Sequence, residues 1–206
     1  MLLLLIAPSH QCCKRTFSLA IIARVPLKQS TCLSVILSAL IFSSTIHGAE
    51  SEPSLFQAIA ERLAYMEDVA VYKAQNKIPV EDVGREKRVL SNAKELAATH
   101  GLDPDSMERF FIAQISAAKA IQYRYSAELL TREIPTRPID LQSDIRPELD
   151  RLGGDIVMLF AMLLQNRSAI GEERRERFMS TLQSRFLADA EREALFDAML
   201  GVRRSQ

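Results

Sequence analysis

Residues 55–75 read LFQAIAERLAYMEDVAVYKAQ. Within them Ile59, Arg62, Met66, Val69 and Lys73 recur at alternating steps of three and four, the period that stacks side chains on one face of a helix. Three of the five are apolar and must face a core, so Arg62 and Lys73, about three turns apart, point into the same core. Buried cations are costly unless an anion meets them. A second polar cluster follows at once, Asp82-Val83-Gly84-Arg85-Glu86, behind Pro79 and at the head of the next helical stretch. The pattern points to a buried cationic pocket for a small anion with more than one negative group.

Working outward, the chain reads as helices throughout. Ser54 with Gln57 fits a capping box for the first helix, which Asn76 to Pro79 ends. Asp82 caps a second helix that stops at Gly101, and Asp103-Pro104 opens a long third one out to about Arg132. Met107, Phe110, Phe111, Ile115, Ile121 and Leu129 give that helix a core face. Glu133 to Pro138, with two prolines, is a linker. A fourth helix follows with Ile145, Leu149, Leu152, Ile156, Leu159 and Leu163 in register, and Gly153-Gly154 in its middle marks a kink or a close crossing. Two shorter helices are expected around 172–187 and 188–202. The expected fold is all-α, a bundle of about six helices.

The first 49 residues hold four Lys or Arg, no Asp or Glu, and all three cysteines, Cys12, Cys13 and Cys32. The apolar run from Cys32 to Phe42 follows Lys28 and gives way to small and polar residues up to Gly48-Ala49, the pattern of a signal peptide. It is too short to span a bilayer. Residues 1–49 are therefore expected to be a removed leader and 50–206 a single domain, periplasmic or secreted, with no membrane segment in the mature form. Taking the leader's four basic residues from the 26 of the whole chain leaves 22 against 26 acidic ones, a net charge of −4. Without a basic patch, nucleic acid is not an expected partner. No zinc spacing, P-loop or dinucleotide fingerprint occurs, so neither metal nor cofactor is expected.

The runs FQAIAERLAYMEDVAVYKAQNKIPVEDVGREKRVL (56–90) and LDPDSMERFFIAQISAAKAIQYRY (102–125) resemble an AroQ-type chorismate mutase of the secreted (gamma) class. The likeness is close over 56–125 and weaker through Asp144–Leu152 to the C-terminus. Three motifs carry it: the eleven-residue step from Arg62 to Lys73, Pro-Val-Glu-Asp-x-x-Arg-Glu ending at Glu86, and Ala-Ile-Gln-Tyr around Gln122. The resemblance implies a homodimeric enzyme that rearranges chorismate to prephenate without metal or cofactor.

It also implies roles for individual residues. Arg62 would hold a carboxylate, Lys73 would reach the ether oxygen and a carboxylate, and Arg85 would join the clamp. Glu86 would accept from the ring hydroxyl, Asp82 would contribute at the helix start, and Gln122 would donate to the ether oxygen. The family often carries Ser or Thr four residues before that glutamine; here Ala118 stands there. Intracellular relatives borrow a further arginine from the partner subunit's first helix. In this chain the first helix starts too close to Arg62 to supply one, and Arg146 matches the arginine that a later helix provides in the secreted class.

Each residue has an ordinary alternative. Arg62 and Lys73 can snorkel to solvent, Glu86 can be a surface charge, Asp82 a cap only, and Gln122 a satisfied core amide. Arg146 can be an exposed arginine, although it lies in the first turn after Asp144, where the helix dipole disfavours a cation. Two rival functions stand beside the mutase: an isochorismate pyruvate-lyase-like activity and a non-catalytic helical binding protein. Mass spectrometry of the exported protein should find an N-terminus near Glu50 and no free thiol. A terminus upstream of Cys32 would overturn the leader.

Overall fold

The computed structural model describes residues 48–134, 140–166 and 170–206, with side chains from Ser54 onward. The expected leader up to residue 47, its cysteines, and Pro135–Pro138 of the expected linker lie outside the described residues. Seven α-helices follow in order: α1 Gly48–Ala64, α2 Met66–Gln75, α3 Val83–Thr99, α4 Pro104–Leu129, α5 Arg146–Gln165, α6 Arg175–Thr181 and α7 Asp189–Leu200. A π-helical turn at Leu141–Ile145 leads into α5 and a 3₁₀ turn at Glu172–Arg174 into α6. The all-α expectation holds. The one β-type pairing among the described residues is a single bridge between Leu102 and Arg204.

α1 and α2 are the first expected helix, interrupted at Tyr65 alone. Tyr65 keeps right-handed helical angles (φ −65°, ψ −13°), and its carbonyl accepts from Val69 N at 2.9 Å, so the stripe from Ile59 to Lys73 stays on one side. Counted as one rod they make six helices. The rod begins earlier than expected, at Gly48, so Ser54 lies inside it rather than capping it. No arginine or lysine occurs between Gly48 and Glu61. The first helix is therefore long enough to carry a further arginine and simply lacks one.

α4 is the central element and packs on α1, α2, α3 and α7, while α5 lies along α1 and α3. Phe110 on α4 meets Phe160 on α5 edge-on, and Phe178 on α6 stands between Phe56 of α1 and Phe196 of α7. These rings are buried at the centre of the apolar core that closes the bundle. The caps at Asp82 and Asp103 form as expected: their side chains accept from Arg85 N and Asp105 N. The segment expected as one helix over 172–187 ends at Thr181 instead. The loop beyond it leaves carbonyls that side chains satisfy: Arg192 donates to Leu182 O and Ser184 O, and Arg124 to Phe186 O.

α5 runs unbroken through Gly153-Gly154. A methyl at Gly153 would stand 3.8 Å from the Phe111 ring edge and one at Gly154 would meet nothing within 4 Å, so no crossing there demands glycine. Gly101 differs, because its φ of +72° lies where a side chain is strained. Gly153→Ala should therefore stabilise the protein by roughly 0.4–1 kcal/mol and Gly101→Ala should destabilise it by about 1 kcal/mol. Urea unfolding midpoints check both signs.

Candidate active site

One pocket gathers all eight residues singled out in the sequence. Arg62 comes from α1, Lys73 from α2, Asp82, Arg85 and Glu86 from the head of α3, Ala118 and Gln122 from α4, and Arg146 from α5. Met66, Val69, Ile115 and Leu149 form apolar walls between them. The helical period explains the convergence: residues three or four apart share a face, and five helices, α1 to α5, turn such faces toward one space.

Arg62 and Lys73 do not snorkel; they are 5 % and 6 % exposed. Arg62 Nε is buried with no hydrogen-bond partner, and the guanidinium carbon lies 5.8 Å from the Phe111 ring centroid, within cation–π range. Burial, and then the like charge of Arg85, pull the Arg62 pKa well below its ordinary value, to about 10, with Asp150 pulling the other way. Lys73 Nζ donates to the Val80 carbonyl at 2.5 Å, which leaves two of its three N–H groups. Burial also lowers the Lys73 pKa, opposed first by Asp82 and reinforced by Arg146.

Gln122 is not a satisfied core amide. Its Nε2 donates to Ala118 O at 3.3 Å and touches Met66 sulfur at 3.4 Å, while its Oε1 is buried without a partner. Ala118 thus brings no hydroxyl, but its carbonyl, one turn back on α4, orients the amide.

Asp82 does two things at once. Oδ1 caps α3 by accepting from Arg85 N at 3.0 Å, and Oδ2 accepts from Arg146 Nη2 at 2.9 Å. The capping N–H is the main cause of its lowered pKa, with Arg146 and Lys73 adding to it. Arg146 is half-buried rather than a free surface side chain, and its other nitrogen donates to Gln142 Oε1. The cap ahead of it is Asp140, which accepts from Gln142 N and Ser143 N, and not Asp144. Arg146 therefore sits a turn deeper than the sequence suggests, which weakens the dipole's objection to a cation.

Glu86 is partly buried and pairs with Lys119 at 3.2 Å, and Arg85 pairs with Asp150 at 2.5 Å. Sequence reasoning missed both partners. Lys119 stands three residues before Gln122 and Asp150 four after Arg146, so helical register alone would have pointed to them. The Val80 carbonyl carries no sequence signal, since every residue has one.

Known proteins share this architecture. The family model described as chorismate mutase type II matches residues 52–123. A secreted chorismate mutase of Yersinia pestis is 38 % identical over 141 residues, 67 % of this chain and 74 % of that protein. A monofunctional chorismate mutase of Enterobacter agglomerans is 30 % identical over 171 residues, 83 % of this chain and 93 % of that protein. The crystal structure of the Yersinia pestis secreted enzyme matches with a TM-score of 0.68 at 34 % identity, covering 74 % of this chain and 98 % of that one. The molecule is thus an all-α enzyme built around a pocket of fixed cations. It belongs to the AroQ-type chorismate mutase family.

With Arg62 buried beside the like charge of Arg85, the pocket is under electrostatic load. Arg62→Met, similar in volume and apolar, should raise stability by about 1–3 kcal/mol in the absence of an anion. Because the folded pKa lies below the unfolded one, the penalty is complete below about pH 10 and fades above it. Thermal or urea unfolding at neutral pH tests this; a destabilised variant would mean that the charge is fully compensated.

Proposed function

We propose that the pocket binds chorismate, a dianion with two carboxylates, and rearranges it to prephenate. The reaction is unimolecular: one C–O bond breaks as one C–C bond forms, through a chair-like transition state. No nucleophile, proton transfer, metal or cofactor is needed. The enzyme has to hold the chair and meet the negative charge that grows on the ether oxygen.

The residues divide along those lines. Arg62, Arg85 and Arg146 offer forks that match carboxylates, and Asp82 orients Arg146 while capping α3. Lys73, held by the Val80 carbonyl, keeps two N–H groups for the ether oxygen and a neighbouring carboxylate. Gln122 can turn an amide hydrogen from the weak acceptor Met66 sulfur to the ether oxygen. Glu86, with Lys119 on one oxygen, keeps the other for the ring hydroxyl. The observation that carries the reading is the burial of Arg62 and Lys73 on one stripe with Gln122 lining the same pocket: donors held among apolar walls where the reacting atoms would lie.

We further propose export, from the leader pattern of residues 1–49 and from relatives named as secreted, with 50–206 as the mature domain. Arg146 on α5 reaches the pocket within its own chain, and on that ground we place a complete site in each protomer, with the homodimer resting on the family resemblance.

Purified protein incubated with chorismate should yield prephenate with or without chelator; salicylate plus pyruvate from isochorismate would instead mark a lyase. Lys73→Ala should keep the fold and lose about 10²–10³ in kcat, the loss typical when one preorganised donor to developing charge is removed. A variant within a few-fold of wild type would take Lys73 out of the site.

A further inference from the structure

A second, smaller cavity lies between α3, α4 and α5, with Arg62, Asn92, Phe111, Asp150 and Gly153 among its walls. Arg62, Val89 and Leu149 line both cavities and so divide them, whereas Asp150 lines only the smaller one. Asp150 therefore stands behind the arginines, not among the groups facing the substrate pocket. It accepts from Arg85 at a single nitrogen, Nη2, which leaves the rest of the guanidinium's N–H groups for a carboxylate in front. The pair also has a counterpart. Asp150 follows Arg146 by four residues on α5, and Asp82 precedes Arg85 by three on α3, so α3 presents minus then plus where α5 presents plus then minus.

We infer that Asp150 is a positioning residue: it anchors Arg85 from behind and offsets the repulsion between Arg85 and the buried Arg62, so that both forks face the substrate. This rests on the chorismate reading of the site. The electrostatics agree, since Arg85 works against the charge on Arg62 and Asp150 works for it. Stability is not the reason for the pair. The Asp150 side chain is 48 % exposed, and ion pairs so open to water add little to folding. Nor does Asp150 compete with the substrate, because a carboxylate in front need not displace it.

The test compares wild type with Asp150→Asn, Asp150→Glu, Arg85→Ala, the double variant Asp150→Asn/Arg85→Ala and, as control, Asp155→Asn, whose partner is Arg151. In Asp150→Asn, kcat/KM should fall about tenfold or more, mainly through a higher KM, with the thermal midpoint near wild type. Asp150→Glu should recover most of the loss and Asp155→Asn should show none. In the Arg85→Ala background the added Asp150→Asn change should cost far less than it does alone, because the two act as a unit. Unchanged kcat/KM, a lowered KM, or full additivity with Arg85→Ala would overturn the inference. If wild type itself failed to turn over chorismate, the reading of the site would fall and this inference with it; wild-type turnover with an unimpaired Asp150→Asn would remove the inference alone.

Discussion

A guanidinium and an ammonium taken out of water need negative charge or oxygen atoms close by, and this requirement organises the protein around Arg62 and Lys73. Their stripe must be buried because Ile59, Met66 and Val69 share it, so the cations cannot reach solvent without exposing the core. Lys73 is met by a backbone carbonyl where the chain turns back at Val80. Arg62 is met by the face of Phe111 and by the distant charge of Asp150, which leaves it short of full compensation. The head of α3 and the start of α5 are then fastened by ion pairs in which every arginine has an acid and every acid also serves a second purpose or faces water.

This arrangement separates two kinds of charge. Asp82 and Asp150 hold arginines by single contacts and remain with them. The space in front of the arginines, between Lys73 and Gln122, contains donors with few acceptors. A small dianion supplies what is missing, and the apolar walls from Met66, Val69, Ile115 and Leu149 keep the local dielectric low enough for those donors to act strongly.

Much of this was legible in the sequence because helical period is a strong constraint. The alternation of three and four steps placed Arg62 and Lys73 correctly, and Asp82 and Asp103 announced their helices by cap chemistry. Local rules failed where tertiary packing intervened. Ser54 has the composition of a cap, yet the helix runs on past it to Gly48. Asp144 resembles the cap before Arg146, but Asp140 takes that role because the chain enters α5 through a π turn. The loop after Thr181 reads as more helix, but its carbonyls are met by Arg192 from the next helix and by Arg124 from α4, far away in sequence. Lys119 and Asp150 lay within reach of the period and were missed because an exposed charge on a helix looks ordinary until its partner on another helix is known.

The two proposed donors to the ether oxygen are both aimed by main-chain carbonyls, Lys73 by that of Val80 and Gln122 by that of Ala118. A carbonyl at a given position is present whatever side chain the position carries. Drift at 80 or 118 can therefore change the pocket's shape without disarming the groups that aim these donors. Relatives with unrelated residues at both places can aim the same two donors equally well. In such a lineage, what is inherited at these points is the path of the backbone, and an inventory of matching side chains would undercount how much of the site is shared.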